Sequence, residues 1–505
     1  MNQTSVSALE SSKRVAFNMI CNTATHLLST VIAFFITPFL IAKIGIEAYG
    51  FYPISTEVVA LFGMFTGVVN STAGRYITIE DARGNRRDAN KYFSTVFFTN
   101  VLLCVILLIP MGLFVGFADR ILSVPRGFVS EIRIFFALVL GSVIVNALAS
   151  AFGSAYFLSN RIDLRSGQEL LAVLLKAAVL FGLLGSGFSS SIVSVGIALL
   201  SANVAGAVIQ LLMCRRLAPE LSLSVYSVSK AHAKRVLTSG VWYTLDRFGA
   251  FLMTGALLLV CNMVFSAEGV GIYSVSLTAS RFLSGVLFML AGVFLPITAK
   301  RFARGEDEIL RAEIIRNQKI TGYLASVGVA VGVGFCGEFF SLWIPEHNSP
   351  LLRLLTVLSI LPAVAVACAL PIVDLGVVMN RMRRLSLLFV GSGLLTLATI
   401  IFVACFTPAG VIGVAVISCL AQLVWYAVLV PLFAGRILKT GVWKFYQPIL
   451  RCFAASAVSI GLILGVKAVA SVDSWLTLSV IGVVCVIASL VVNFLLVFGK
   501  PKIKI

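Results

Sequence analysis

Polar residues divide this chain into a long series of apolar runs. Each run is roughly 20 residues or more, enough at ~1.5 Å of rise per residue for a helix to cross the hydrocarbon core of a bilayer. The pattern predicts fourteen spanning helices, over approximately residues 15–42, 51–79, 92–118, 130–158, 169–186, 190–213, 237–264, 272–299, 317–343, 351–379, 386–407, 410–434, 450–471 and 475–498. The runs are too apolar, and the segments between them too short, for the alternating pattern of a membrane β-barrel. The expected fold class is therefore all-α and polytopic. The longest polar stretches, 80–91, 214–236 and 300–319, cannot hold a soluble domain with its own core. Residues 1–12 are polar and Lys13-Arg14 follows them. The run from Val15 to Ala42 is too long for the apolar part of a cleavable signal, so it reads as a retained first helix.

A second pattern lies over the first, at an offset of 221 residues. Lys13-Arg14 returns as Lys234-Arg235, Glu47-Ala-Tyr-Gly50-Phe-Tyr52 as Glu268-Gly-Val-Gly271-Ile-Tyr273, and Arg83-Gly84 as Arg304-Gly305. Both Lys-Arg pairs precede a helix entering from the same side, so each repeat spans an even number of helices. The halves are then parallel, related by an axis along the membrane normal. The expected organisation is an N-lobe over 1–214 with helices 1–6, a linker over 215–236, a C-lobe over 237–434 with helices 7–12, and helices 13–14 with a basic tail over 435–505.

Composition agrees with this reading: 59% of residues are hydrophobic and 12% charged, against about 45–50% and 25% in soluble domains. The net charge of +18 raises the question of nucleic acid, and its distribution answers it. An even helix count puts both termini on one side. That side receives 29 Lys and Arg, and the other receives Lys43, Arg120, Arg126, Arg133, Arg353 and Lys467. The positive-inside rule makes the rich side cytoplasmic and accounts for most of the charge, so no nucleic-acid partner is called for. The ten cysteines sit nearly all within apolar runs with no C-x-x-C pair, and read as small apolar packers. Without a P-loop, H-E-x-x-H, G-x-S-x-G or dinucleotide fingerprint, no cofactor, metal or enzymatic chemistry is implied.

Ionisable groups at membrane depth tend to face a bundle interior or an aqueous cavity. Seven are expected here: Glu57, Arg75, Lys176, Asp246, Arg247, Arg281 and Asp374. Arg247 and Arg281 lie about 10 and 9 residues into their helices, roughly 15 Å deep, too far to reach an interface easily. Arg281 heads a polar stripe with Ser274, Thr278 and Ser284. The two arginines suit a cationic site for an anionic substrate, or else a structural pair in which Asp246 reaches across to Arg281. Asp246 and Arg247 themselves point about 100° apart. Arg75 and Lys176 can snorkel to a surface. Glu57 lies five helical turns from Arg75 on the same face, beside Gly63, Thr66, Gly67, Asn70 and Gly74, a pattern of close helix packing. Asn18, Asn22, Thr25, His26 and Ser29 line one side of helix 1 with groups that suit sugar hydroxyls or interhelix bonds. His26 is the histidine at membrane depth and a candidate proton relay. Asp374 reads as pairing locally near Asn380-Arg381 or as coupling an ion. Pro38, Pro296, Pro362 and Pro371 are expected to interrupt helices.

Asn18-x-x-x-Asn22, Phe35-Ile-Thr37-Pro38-Phe-Leu40 and Gly45-Ile-Glu-Ala-Tyr49-Gly50 together resemble the opening of the polysaccharide transporter (oligosaccharide flippase) family. Gly74-Arg75-Tyr76-Ile77 resembles the motif ending its second helix, and Pro408-Ala-Gly410-Val-Ile-Gly413-Val-Ala415 the one opening helix 12. The family belongs to the multidrug/oligosaccharidyl-lipid/polysaccharide exporter superfamily. The resemblance implies two six-helix lobes, often with two extra helices. It implies translocation of an undecaprenyl-pyrophosphate-linked oligosaccharide between leaflets of a bacterial inner membrane, for O-antigen, exopolysaccharide or capsule. Arg247, Arg281, Arg75, Lys176, Asn18 and Asn22 become the substrate-binding candidates, since Arg suits a pyrophosphate in a dry cavity. Asp246, Glu57, His26 and Asp374 become candidates for coupling to an H+ or Na+ gradient. Implied partners are the lipid-linked oligosaccharide, membrane lipids, a polysaccharide polymerase and a chain-length regulator. A cation-coupled drug exporter of the same superfamily would want acidic groups to dominate the cavity. A polymerase or glycosyltransferase would want a long extracytoplasmic loop.

Overall fold

In the computed structural model, which describes residues 3–186, 191–265, 267–292, 294–379 and 381–499, every regular element is helical. Thirteen helices are long and apolar enough to cross a membrane, or fourteen when one bent pair counts as a single span. In chain order the first seven are α1 (Gln3–Ile44), α2 (Ile46–Ala82), α3 (Arg86–Gly116), α4 (Val129–Ala149), α5 (Ile162–Gly185), α6 (Val193–Leu217) and α7 (Lys230–Val264). The rest are α8 (Glu268–Ala303), α9 (Asp307–Gly334 with Cys336–Trp343, bent by 63°), α10 (Pro350–Gly376), α11 (Arg383–Phe406), α12 (Gly410–Ile437), α13 (Trp443–Lys467) and α14 (Trp475–Phe498). The all-α polytopic expectation holds, span for span.

Several boundaries differ from the hydropathy reading. Helix α1 extends back through the polar segment to Gln3, and α7 starts at Lys230 rather than 237. Hydropathy marks where a helix needs lipid; it does not register that the backbone continues into water. The run expected over 130–158 ends as a helix at Ala149, followed by a turn and a short helix Ser154–Leu158. Of the prolines, Pro38 and Pro371 lie within continuous helices. Pro296 stands in the first turn of Leu295–Ala303, and Pro362 lies between Ile360 and Ala363 where α10 is interrupted. The basic tail from Lys500, and Asn380, lie outside the described residues.

The 221-residue repeat is visible in the backbone. Gly84 and Gly305 both have positive φ, 75° and 68°. The amide of Gly84 donates to the carbonyl of Asp81 and that of Asn85 to Glu80. At the same offset, Gly305 donates to Phe302 and Glu306 to Arg301. Each turn closes a spanning helix with a left-handed residue that glycine adopts without strain, and the next helices start in step at Arg86 and Asp307.

By compactness the chain divides into Met1–Phe251 and Leu252–Ile505. The division falls inside α7, within the wide π turn Phe251–Gly255. In the first unit α1 packs on α5, α4 on α6, and α2 on α3 and the first half of α7. In the second unit α9 packs against α10 and α13, and α14 against α9 and α13. Helices α13 and α14, which the repeat leaves unplaced, dock through buried polar groups. Asn493 Nδ2 donates to Ser326 Oγ (3.1 Å), and Ser459 Oγ to Asn493 Oδ1 (2.8 Å). Ser456 Oγ donates to the Ser326 carbonyl (3.2 Å), and Tyr323 Oη to that of Leu490 (3.0 Å). Lipid offers no hydrophobic drive for helices to associate, so close packing and such bonds take its place. Gly322 serves this contact: a β-carbon there would run into the sulfurs of Cys368 and Cys452.

Candidate functional site

Eight of the ten candidate residues fall in the first unit: Asn18, Asn22, His26, Glu57, Arg75, Lys176, Asp246 and Arg247. Arg281 and Asp374 fall in the second. On α1 the polar stripe splits. Asn18 is buried; its Nδ2 donates to the carbonyl (3.3 Å) and Oδ1 (3.2 Å) of Asn160, and its Oδ1 accepts from the amide of Asp163 (3.2 Å). Asn160 has φ of 51° and ends the turn before α5, so Asn18 ties α1 to that turn. Thr25 Oγ1 likewise donates to the carbonyl of Ser166 (3.3 Å). Asn22 and His26 are exposed, one helical turn apart on the same side.

Helix α2 carries the motif Gly74-Arg75-Tyr76-Ile77, and the structure gives each residue a different surrounding. A β-carbon on Gly74 would stand 3.2 Å from the ring of Phe157. Arg75 is exposed and Ile77 fully buried. Tyr76 Oη lies 2.7 Å from Ser239 Oγ, and its ring stacks on Tyr92 with centroids 5.1 Å apart. Thr72 Oγ1 donates to the carbonyl of Val236 (3.4 Å), so the second half of α2 runs along the first half of α7. Gly63 and Gly67, expected to mark close helix contact, have no described atom near where a β-carbon would stand. The close approach is at Gly74 and at Gly240 of α7. Glycine spacing names positions that permit contact; the neighbouring helix decides which are used. Glu57 and Lys176 are half-buried.

Helix α7 carries the charged pair Asp246-Arg247 in its central turns. Arg247 has seventeen residues on either side within Lys230–Val264, so it sits at the middle of the helix. It is exposed, while Asp246 is half-buried. The π turn over Phe251–Gly255 follows one helical turn later. Such turns insert one residue into the helical register and are frequent at functional sites. In the second unit Arg281 is exposed on α8. Within its stripe, Thr278 Oγ1 donates to the carbonyl of Ser274 (3.3 Å) and Ser274 is buried. Asp374 is half-buried on α10 and has no ion-pair partner among the described residues.

Two polar clusters lie outside the ten candidate residues. One joins the start of α3 to the first turns of α7: Arg235 Nη1 donates to Tyr92 Oη (3.2 Å), and His232 meets the Tyr92 ring edge to face at 4.3 Å. The other fastens the end of α13, where Lys467 Nζ lies 2.6 Å from Glu338 Oε1 and donates to the carbonyl of Gly334 (2.9 Å). Lys467 thus binds at the bend of α9. A lone lysine at a helix end gives no sign of this in sequence, because its partner lies more than a hundred residues away.

The polysaccharide biosynthesis protein family matches residues 15–302. The chain is 24% identical over 491 residues to the uncharacterized membrane protein EpsK of Bacillus subtilis (strain 168), covering 97% of this chain and 96% of EpsK. Among solved structures it is similar to a multidrug resistance MATE family transporter of the MOP superfamily in an inward-facing conformation, with TM-score 0.64 at 14% identity over 83% of this chain and 98% of that one. It is also similar to the lipid II flippase MurJ in an inward closed conformation, with TM-score 0.63 at 12% identity over 94% and 99%. At such identities the likeness establishes the fold.

Proposed function

Because this chain belongs to the polysaccharide biosynthesis protein family and is a multi-pass membrane protein, we propose that it is a flippase. Its substrate in this reading is an undecaprenyl-pyrophosphate-linked oligosaccharide, a repeat unit for O-antigen, exopolysaccharide or capsule. It moves from the cytoplasmic to the periplasmic leaflet by alternating access of the two halves of the repeat. The observation that carries this is Arg247, exposed at the middle of helix α7. An arginine within a spanning helix tends to face the bundle interior or an aqueous cavity, where an anionic headgroup can meet it. A pyrophosphate is the part of the substrate that needs such a group, and the fork of an arginine matches its oxygens. The isoprenoid tail can stay in the bilayer while the head crosses. Arg281 and Arg75, both exposed, and Lys176 are the further cationic candidates, and Asn22 can meet sugar hydroxyls. Asp246, Glu57, His26 and Asp374 are the groups through which an H+ or Na+ gradient would act. Both termini face the cytoplasm, and a polymerase with its chain-length regulator would take up the product.

The test is complementation of a strain lacking its lipid-linked-oligosaccharide flippase, with the wild-type chain, Arg247→Ala and Arg281→Ala at matched expression. Surface polysaccharide restored by wild type and lost with Arg247→Ala is the expected result. Restoration by all three keeps the flippase and removes the arginines from the site. Failure of wild type to move the cognate precursor overturns the flippase itself.

A further inference from the structure

Residues 218–229 join α6 to α7, and α3 holds them by their backbone. Asn90 Nδ2 donates to the carbonyl of Glu220 (3.0 Å), while Asn90 Oδ1 accepts from the amide of Ser222 (2.9 Å). Ser94 Oγ donates to the carbonyl of Ser222 (3.3 Å) and accepts from the amide of Ser224 (3.1 Å). Thr95 Oγ1 accepts from the amide of Ser229 (3.1 Å). Ala218 and Leu221 at the start of the linker pack on the core, while the apolar side chains from Leu223 onward are left outward. Leu223 is 39% exposed, Val225 66%, Tyr226 100% and Val228 43%. Arg215 and Arg216 before this segment, and Lys230 and Lys234 after it, are exposed as well.

We propose that this linker is an interfacial anchor: Val225 and Tyr226 enter the headgroup boundary of the bilayer, and the flanking cations bind anionic phospholipid. Three observations select lipid as the occupant. Both ends of the segment are ends of spanning helices, so a dozen residues fastened to α3 stay close to the membrane surface. An aromatic ring with a hydroxyl at its tip fits the depth where an apolar body and a wet end are both satisfied. Four exposed cations beside an apolar tip complement anionic headgroups, whose attraction decays within a Debye length of the surface. Four side chains are also far fewer than the ~20–30 residues that each partner contributes to a stable protein interface. The anchor sets the height of the linker at the surface, and through Asn90, Ser94 and Thr95 it sets that of α3. It does not depend on which substrate the protein moves.

The experiment uses the full-length protein with Tyr226→Trp, reconstituted in liposomes of phosphatidylglycerol and brominated phosphatidylcholine. The wild type supplies the signal of the five native tryptophans for subtraction. The added emission should be quenched by the lipid bromines and shielded from acrylamide in the water. Emission quenched by acrylamide and untouched by bromine, as for a surface facing water or a soluble partner, overturns the anchor. Replacing phosphatidylglycerol by unbrominated phosphatidylcholine should lower the bromine quenching; unchanged quenching overturns the part assigned to the cations. Val225→Trp provides the same readout should Tyr226→Trp fail to fold.

Discussion

Gly240 of α7 lies against the main-chain carbonyl of Val68 of α2, so closely that a β-carbon at 240 would overlap it. The bonds from Thr72 to Val236 and between Tyr76 and Ser239 lie along the same seam. Small residues let two helix backbones approach, and hydroxyl groups then bond across them. The motif residue Tyr76 and the glycine of a distant helix thus serve one contact.

Gly240→Val should therefore destabilise the protein by about 1–3 kcal/mol, the usual cost of overpacking. Gly67→Ala on α2, where the space is open, should stay within about 0.5 kcal/mol of wild type. Thermal unfolding in detergent compares the two; equal shifts would mean that the seam is not close-packed.

Asn90 holds the linker with both ends of its amide. Asn90→Ala removes two bonds, each worth about 1 kcal/mol net. In detergent the variant should be cut by chymotrypsin at Tyr226 several-fold faster than wild type. A cleavage rate equal to wild type would show that Ser94 and Thr95 suffice to hold the segment.

Asn493 joins α14 to Ser326 of α9 and Ser459 of α13, and all three side chains are buried. Asn493→Leu leaves two buried hydroxyls short of a partner, at a cost of about 1–3 kcal/mol. The melting midpoint should fall, and cysteine accessibility at Cys485, buried on α14, should rise. Unchanged accessibility would mean that α14 docks without this network.

Arg133 Nη2 lies 2.6 Å from Asp119 Oδ1, between α4 and the short helix after α3. The hydrogen bond from Arg133 holds the Asp119 carboxyl below its ordinary value of 3.8. A carboxylate whose folded pKa is depressed adds stability above its unfolded pKa and loses it as pH falls through the folded value. Wild type should thus exceed Asp119→Asn in melting temperature at neutral pH. The gap should begin to close as pH falls below the ordinary carboxylate value and be gone once Asp119 is protonated in the folded state. A gap that does not change with pH would show that the pair adds nothing through charge.

Much of the architecture was legible because it depends on short-range facts. A run of apolar residues must become a helix in lipid, where every backbone group needs an internal partner. Gly84 and Gly305 mark the same turn because a positive φ is a local demand that few residues other than glycine meet. The place of Arg247 well inside a spanning helix followed from counting residues, and in the structure it lies seventeen residues from either end of α7.

The sequence by itself thus determined the helical class, the spans and the register of the repeat. Only the tertiary structure decided which face of each helix meets another. Asn18 is buried against the turn before α5 while Asn22, four residues on, is exposed. Gly240 is crowded where Gly63 and Gly67 are open, and α13 and α14 dock on α9 through Asn493. In water an apolar stripe would reveal the packed face. In a bilayer both faces are apolar, because lipid tails and buried side chains are equally good company for a leucine. The choice of face then rests on steric fit and on single hydrogen bonds between residues far apart in the chain.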